Sequence, residues 1–193
     1  MIGTWVDFKA YCRSDFKSRG QPLSVRTLAS DPVARFTVLM RLYEYLLNTR
    51  RPALLRLPFL IWFRRLSVRL GFSVGPNIFG PGVAIVHYGL LVIDPTTRIG
   101  KNCRIHMGTH IGGAAKFVSA DEAPEHSPRI GDNVYLGPGC KIYGPVRIGD
   151  NCVVGANAVV SKSFPDEGLI IAGVPAKVIG TGSTGERTLK GAD

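Results

Sequence analysis

An aliphatic side chain returns every six residues along the second half of this chain. Ile130, Leu136, Ile142, Ile148, Val154 and Val160 are in strict phase, and Ile93, Ile99, Ile105 and Ile111 carry a run of the same period upstream. Glycine follows four of the first five members of the later run, at Gly131, Gly137, Gly149 and Gly155. A helix repeats at about 3.6 residues and a strand at 2, so neither accounts for the pattern as a continuous element. A short strand plus a tight corner, stacked many times, does. Three such hexads make one triangular coil, and a fixed period of this kind is the signature of a solenoid. Small side chains tend to follow four places after each aliphatic, at Thr97, Cys103, Thr109, Val134, Cys140, Val146, Cys152 and Ala158. They mark a second inward position with little room. The predicted class is an all-β solenoid, a parallel β-helix of hexapeptide repeats.

The phase breaks twice. Ile111 and Ile130 are nineteen residues apart. That is one hexad plus thirteen extra residues, or two plus seven. The segment GGAAKFVSADEAPEHSP is polar and bears Gly and Pro, as a loop leaving the wall should. Between Val160 and Leu169, three further residues are expected to intrude near Asp166, Glu167 and Gly168. LIIAGVPAKVIG closes the array, and residues 181–193 read as a flexible tail.

The first 71 residues follow a different rule. Thr4 with Asp7 has the spacing of a helix capping box. Asp31 followed by Pro32 is a cap and a first-turn proline, and VARFTVLMRLYEYLLNT behind them has helical apolar spacing. RRPALLRLPFLIWFRRLSVRLG then runs to a stop at Gly71. The organisation expected is a basic helical segment over 1–71, the β-helix over 72–180 and the tail over 181–193.

Composition sharpens this division. The chain has 193 residues, 45% hydrophobic, enough for one domain and an appendage, and its 23 Gly and 13 Pro suit many corners. Net charge is +10, but residues 1–75 hold 13 Lys/Arg against 4 Asp/Glu, so nearly all of it lies in the helical segment. There, arginines 50, 51, 56, 64, 65 and 69 surround leucines, Phe59, Trp62 and Phe63. The longest uncharged run, LPFLIWF, is far short of the ~20 residues needed to cross a bilayer. Basic residues among leucines and aromatics suit a helix lying in a membrane interface. Residues 50–70 are therefore a candidate peripheral membrane contact, with packing on the solenoid or between trimers as the alternative. No nucleic-acid-binding motif accompanies the charge. No apolar leader with a small-residue cleavage site opens the chain. The four cysteines form no CxxC pair, and three fall on the small inward position, so they read as unpaired packing residues of a cytoplasmic protein.

The hexad array, IVHYG followed by RIG, the IGG loop and the closing AGVPAKVIG together resemble the left-handed β-helix acyltransferases. The likeness runs over roughly residues 72–180 and leans to the serine O-acetyltransferase branch with its relatives in surface-polysaccharide clusters. It implies a left-handed helix, a homotrimer (a dimer of trimers stays open), acetyl-CoA lying between subunits as co-substrate, and no metal. It matches His87 to the histidine that acts as general base on the acceptor hydroxyl. Imidazole titrates near the operating pH and can take that proton. His106, His110 and His126 are candidates for the acceptor side. Gly112, Gly113, Ala156, Asn157 and Lys177 fall where coenzyme A runs in relatives. Two positions depart from the serine enzymes: Val86 stands where they have an acidic residue, and Gly75 where they have an aspartate that orients the imidazole. Asn77 is a candidate replacement for that orienting group. Missing carboxylates disfavour an amino-acid acceptor, so a sugar hydroxyl of a surface polysaccharide or its precursor is expected, with L-serine as the alternative. Such a role would place the enzyme in the cytoplasm, at the inner face of the membrane. Two further readings are a γ-type carbonic anhydrase built on His87, His106 and His110, and a non-catalytic trimeric scaffold.

Overall fold

The computed structural model describes residues 1–113 and 125–182. The middle of the expected excursion and residues 183–193 of the predicted tail lie outside the described residues, while Thr181, placed in the tail from the sequence, ends the last strand. Four helices come first: α1 (Trp5–Ser18), α2 (Val25–Ser30), α3 (Pro32–Asn48) and α4 (Ala53–Leu70). The Thr4–Asp7 capping box opens α1 in both directions, and the Asp31 carboxylate accepts from Val33 N and Ala34 N to open α3. Gly71, at φ +76°, closes α4 in the left-handed region. The short helix α2, capped by Ser24, was not foreseen.

Short strands then wind into three faces. One holds β1 (Phe72–Ser73), β3 (Leu91–Ile93), β6 (His110–Gly112), β9 (Lys141–Tyr143) and β12 (Val159–Val160). A second holds β4 (Arg98–Ile99), β7 (Arg129–Ile130) and β10 (Arg147–Ile148). The third holds β2 (Ala84–Ile85), β5 (Arg104–Ile105), β8 (Tyr135–Leu136), β11 (Val153–Val154), β13 (Leu169–Ala172) and β14 (Lys177–Thr181). Every pairing is parallel except that of β14, which folds back antiparallel on β13 and covers the end of its sheet. This is a left-handed parallel β-helix. The ten phased aliphatics are all buried, and so are the eight small residues four places on.

Strand register locates every insertion. Arg129 pairs with Arg147 and Val92 with His110, eighteen positions apart, which is one coil of three hexads. Arg98 pairs with Arg129 and Arg104 with Tyr135, thirty-one positions apart. The excursion therefore adds thirteen residues to one coil, the first of the two alternatives. Ile85 pairs with Ile105, twenty positions on, whereas Ile93 pairs with Ile111 at eighteen. Two extra residues thus sit between β2 and β3.

The closing coil corrects the expectation of three intruding residues before Leu169. Ile148 bridges Phe164, sixteen positions on, and Val154 pairs with Ile171 at seventeen. Phe164 and Ile171 take the inward places and Leu169 is only partly buried. The coil contracts because the chain crosses from Val160 to the inward Phe164 in four residues instead of six.

One edge of the solenoid carries an asparagine ladder. Asn102, Asn133 and Asn151 all have φ near +55° at successive corners. Asn102 Nδ2 donates to Asn133 Oδ1 at 3.1 Å, and Asn133 Nδ2 to Asn151 Oδ1 at 3.0 Å. Asn tolerates this backbone because its short amide can bond locally.

The helices are tied to the first coil by a buried ionic knot. Arg41, fully buried, donates Nε to Asp15 at 2.8 Å and Nη1 to Glu44 at 3.0 Å. Its remaining donors reach Phe79 O at 3.0 Å and Gly80 O at 2.7 Å. Asp15 also accepts from Gly82 N and Val83 N, and Glu44 from Asn77 N. Burial pushes both carboxyls up while the Arg41 guanidinium draws them back. The knot grips the coil segment that leads straight into β2.

Candidate active site

His87 sits on the two extra residues of the wall. The loop that carries it turns between β2 and β3, at the edge where the first and third faces meet. The end of α4 is laced to this loop: Gly89 N donates to Leu70 O at 2.9 Å and Leu91 N to Gly71 O at 3.0 Å. The His87 ring is exposed and makes no hydrogen bond or ion pair with the described residues. Neither ring nitrogen is engaged by a described residue. The interrupted phase, eight residues from Ile85 to Ile93 where six are usual, is a sequence signal for this bulge.

His106 occupies the same edge one coil further on. Its ring stands edge-on to His87, with centroids 6.2 Å apart, and lies 5.0 Å from the Tyr135 ring. Its Nε2 is buried and lacks a partner among the described residues. Burial, then the positive charge of Arg104, then His87 hold its pKa below the ordinary value of 6.5. At neutral pH it is an uncharged imidazole beside the candidate base.

The remaining candidates separate. His110 lies on β6, where its Nδ1 meets Tyr143 Oη at 3.0 Å with ring centroids 5.2 Å apart. Tyr143 was not singled out from the sequence; its spacing, thirty-three residues from His110, is hidden by the excursion. His126, half-buried, is at the edge of the described residues beside buried Ser127. Asn77 does not orient His87 by its side chain. Its amide is spent in a reciprocal pair with Asn48, 2.9 Å in each direction, which ties the first coil to α3.

The five coenzyme A candidates occupy the walls and the closing hairpin. Gly112 lies under the Tyr143 ring, where a Cβ would stand 2.9 Å from Cδ1, and a Cβ on Gly113 would stand 2.9 Å from Ser127 Oγ. Close approach at both glycines is thus already required by this chain's own side chains. Ala156 and Asn157 form an exposed corner, and Lys177 is exposed at the start of β14. Among the described residues, no group of three or more His, Cys, Asp or Glu is gathered to hold a metal ion. All four cysteines are buried and unpaired. Burial pushes Cys12 and Cys103 up to about 12 and Cys140 to about 11, as expected of packing thiols. No described helix is long and apolar enough to cross a membrane.

Comparison with known proteins agrees with this architecture. Residues 127–162 match the family described as "Bacterial transferase hexapeptide (six repeats)". A serine acetyltransferase of Mycobacterium tuberculosis is 35% identical over 111 residues, covering 57% of this chain and 46% of the relative. The crystal structure of a serine acetyltransferase from Brucella abortus superposes with a TM-score of 0.73 at 25% identity, over 93% of this chain and 71% of that one. A solved structure described as a serine acetyltransferase in complex with CoA superposes at 0.68 with 22% identity, over 91% and 71% of the two chains, a likeness of fold. The chain spans between 46% and 66% of the length of the first curated relatives it matches. Its fold is a left-handed parallel β-helix of six-residue repeats. Within that class its likeness runs to the serine acetyltransferase branch.

Proposed function

We propose that this chain transfers an acetyl group from acetyl-CoA to a hydroxyl, with His87 as general base. One observation carries the proposal: the histidine on the two-residue bulge is exposed and makes no hydrogen bond or ion pair among the described residues. The imidazole takes the hydroxyl proton as the oxygen attacks the thioester carbon. The tetrahedral intermediate then collapses, and the imidazolium returns the proton to the departing thiolate of CoA. No acyl-enzyme forms. Proton transfer of this kind is typically worth 10²- to 10⁴-fold. Gly112, Gly113, Ala156, Asn157 and Lys177 are the proposed contacts of the CoA arm, with Lys177 the cation for its phosphate. The proposed assembly is a homotrimer acting in the cytoplasm, with CoA held between neighbouring copies.

The acceptor has two readings. The relatives named as serine acetyltransferases favour L-serine. Val86 before His87, with no carboxylate bonded to that ring among the described residues, favours a sugar hydroxyl, which brings no ammonium group to neutralise. Thiol release from acetyl-CoA, measured with L-serine and with saccharides, tests both. Release with serine that disappears in His87→Ala selects the first. Release only with saccharides selects the second. Background release with every acceptor removes acetyl transfer and leaves the scaffold.

A further inference from the structure

Beside the His87 loop, where α3 begins and α4 ends, a cleft of about 530 Å³ opens. Arg35, Trp62, Arg69 and Tyr88 line it above a floor of Leu66 and Leu70. Tyr88 is the residue next to His87, and the Gly89–Leu70 and Leu91–Gly71 hydrogen bonds fix the cleft to the same loop. Trp62 and Tyr88 are 56% and 66% exposed, large aromatic surfaces left open by the described residues. Among the described residues the wall is cationic and contains no acid. Arg35 is anchored by Nη1, which donates to Leu28 O at 2.9 Å and Ala29 O at 2.7 Å, leaving Nε and Nη2 without partners among the described residues. Arg69 makes no ion pair there at all. The nearby Asp31 is already engaged by Arg19 and by the α3 cap.

Aromatic faces flanked by unpaired guanidinium groups suit a ring with apolar CH faces and an anionic substituent. Arginine recognises phosphate and carboxylate alike through its planar fork. The volume is that of a pocket for a molecule of sugar size or larger. L-serine would leave most of it empty. We infer that this cleft is the acceptor subsite and that it takes a sugar bearing a phosphate or carboxylate, presenting a hydroxyl to His87. The inference rests on the proposed role of His87 and deepens the saccharide reading.

The test uses the full chain carrying Trp5→Phe, so that emission reports Trp62, the other of the two tryptophans. Glucose 1-phosphate and glucuronate are titrated, with glucose, inorganic phosphate and L-serine as controls. Saturable quenching by one or both anionic sugars is expected, and which of them binds identifies the anion. Glucose should bind at least about tenfold more weakly, and Arg69→Ala should weaken the anionic sugar by a similar factor. Quenching by glucose equal to that by its phosphate, or binding indifferent to Arg69→Ala, overturns the inference. So does a change of oligomeric state in Trp62→Ala, which would make the cleft a contact between copies. Failure of the wider reading looks different. Arg69-dependent sugar binding without thiol release from acetyl-CoA removes the transferase and keeps the cleft. Serine-dependent release that survives Arg69→Ala, with no sugar bound, removes the cleft and keeps the transferase.

Discussion

The solenoid and the helical segment both bury apolar side chains, but among the described residues only the helices bury charge as well. Within the coils, aliphatics and small side chains stack in columns, and Thr97, Thr109 and Ser127 are the buried polar residues recorded there. Among the helices, a fully buried arginine lies between two buried carboxylates. The reason is geometric. A coil satisfies its backbone through the ladder to its neighbours, so its interior needs only to be dry and filled. Helices meeting the open first coil must satisfy free carbonyls and amides there, and Arg41, Asp15 and Glu44 do so. One region is thus held by many equal contacts; the other joins it through a shared apolar cluster, the ionic knot and the Asn48–Asn77 pair. The His87 loop lies where they join.

Substitutions can break or sharpen this contrast. The largest effect expected is on activity: His87→Ala should lower kcat by about 10²- to 10⁴-fold with little change in the melting curve, because the side chain is exposed and its one ring contact is with His106. Retained activity would move the chemistry elsewhere. Next, Arg41→Ala should destabilise the protein by about 3–5 kcal/mol in chemical denaturation, since it strands two buried carboxylates. An equal loss from Arg41→Lys would show that the fork geometry, as well as the charge, is required. Leu136→Ala, a deletion in the middle of the column, should lose about 2–5 kcal/mol through the cavity it leaves. A smaller loss would mean that stacked coils close up around a vacancy. Asn133→Ala removes the amide that eases the backbone at φ +56° and with it two rungs of the ladder, for a loss of about 1–2 kcal/mol. Asn133→Gly should recover the backbone part.

The smallest effect is a pH dependence. His106 has a pKa below 6.5 in the folded chain, so the unfolded chain binds the proton first as pH falls. Stability should therefore decline as pH drops through the ordinary imidazole range and level off below the folded value. In His106→Asn that part of the slope should vanish. Its persistence would assign the titration to another group.

Much of the fold was legible because a period of six repeats its information in every coil. Any single misread residue is outvoted by its equivalents. The columns, the corners, the helix caps at Thr4, Asp31 and Gly71 and the packing role of the cysteines all follow from local rules of this kind. The candidate site was legible at His87 through the family resemblance; its bulge, an eight-position step from Ile85 to Ile93, was not read as a break in phase until the strand register showed it. What surrounds it was not. Pairings such as Arg41 with Asp15, Asn77 with Asn48 and Tyr143 with His110 join positions 26 to 33 residues apart with no periodic trace. The same is true of the cleft formed by Arg35, Trp62, Arg69 and Tyr88.

By itself, then, the sequence determined the solenoid, its inward columns and the breaks in its phase, because each rests on spacing alone. The tertiary structure decided how the excursion divides, where the last coil contracts, which polar groups the helices bury and what stands beside His87. Those depend on contacts between elements with different periods, whose meeting points no spacing along the chain records.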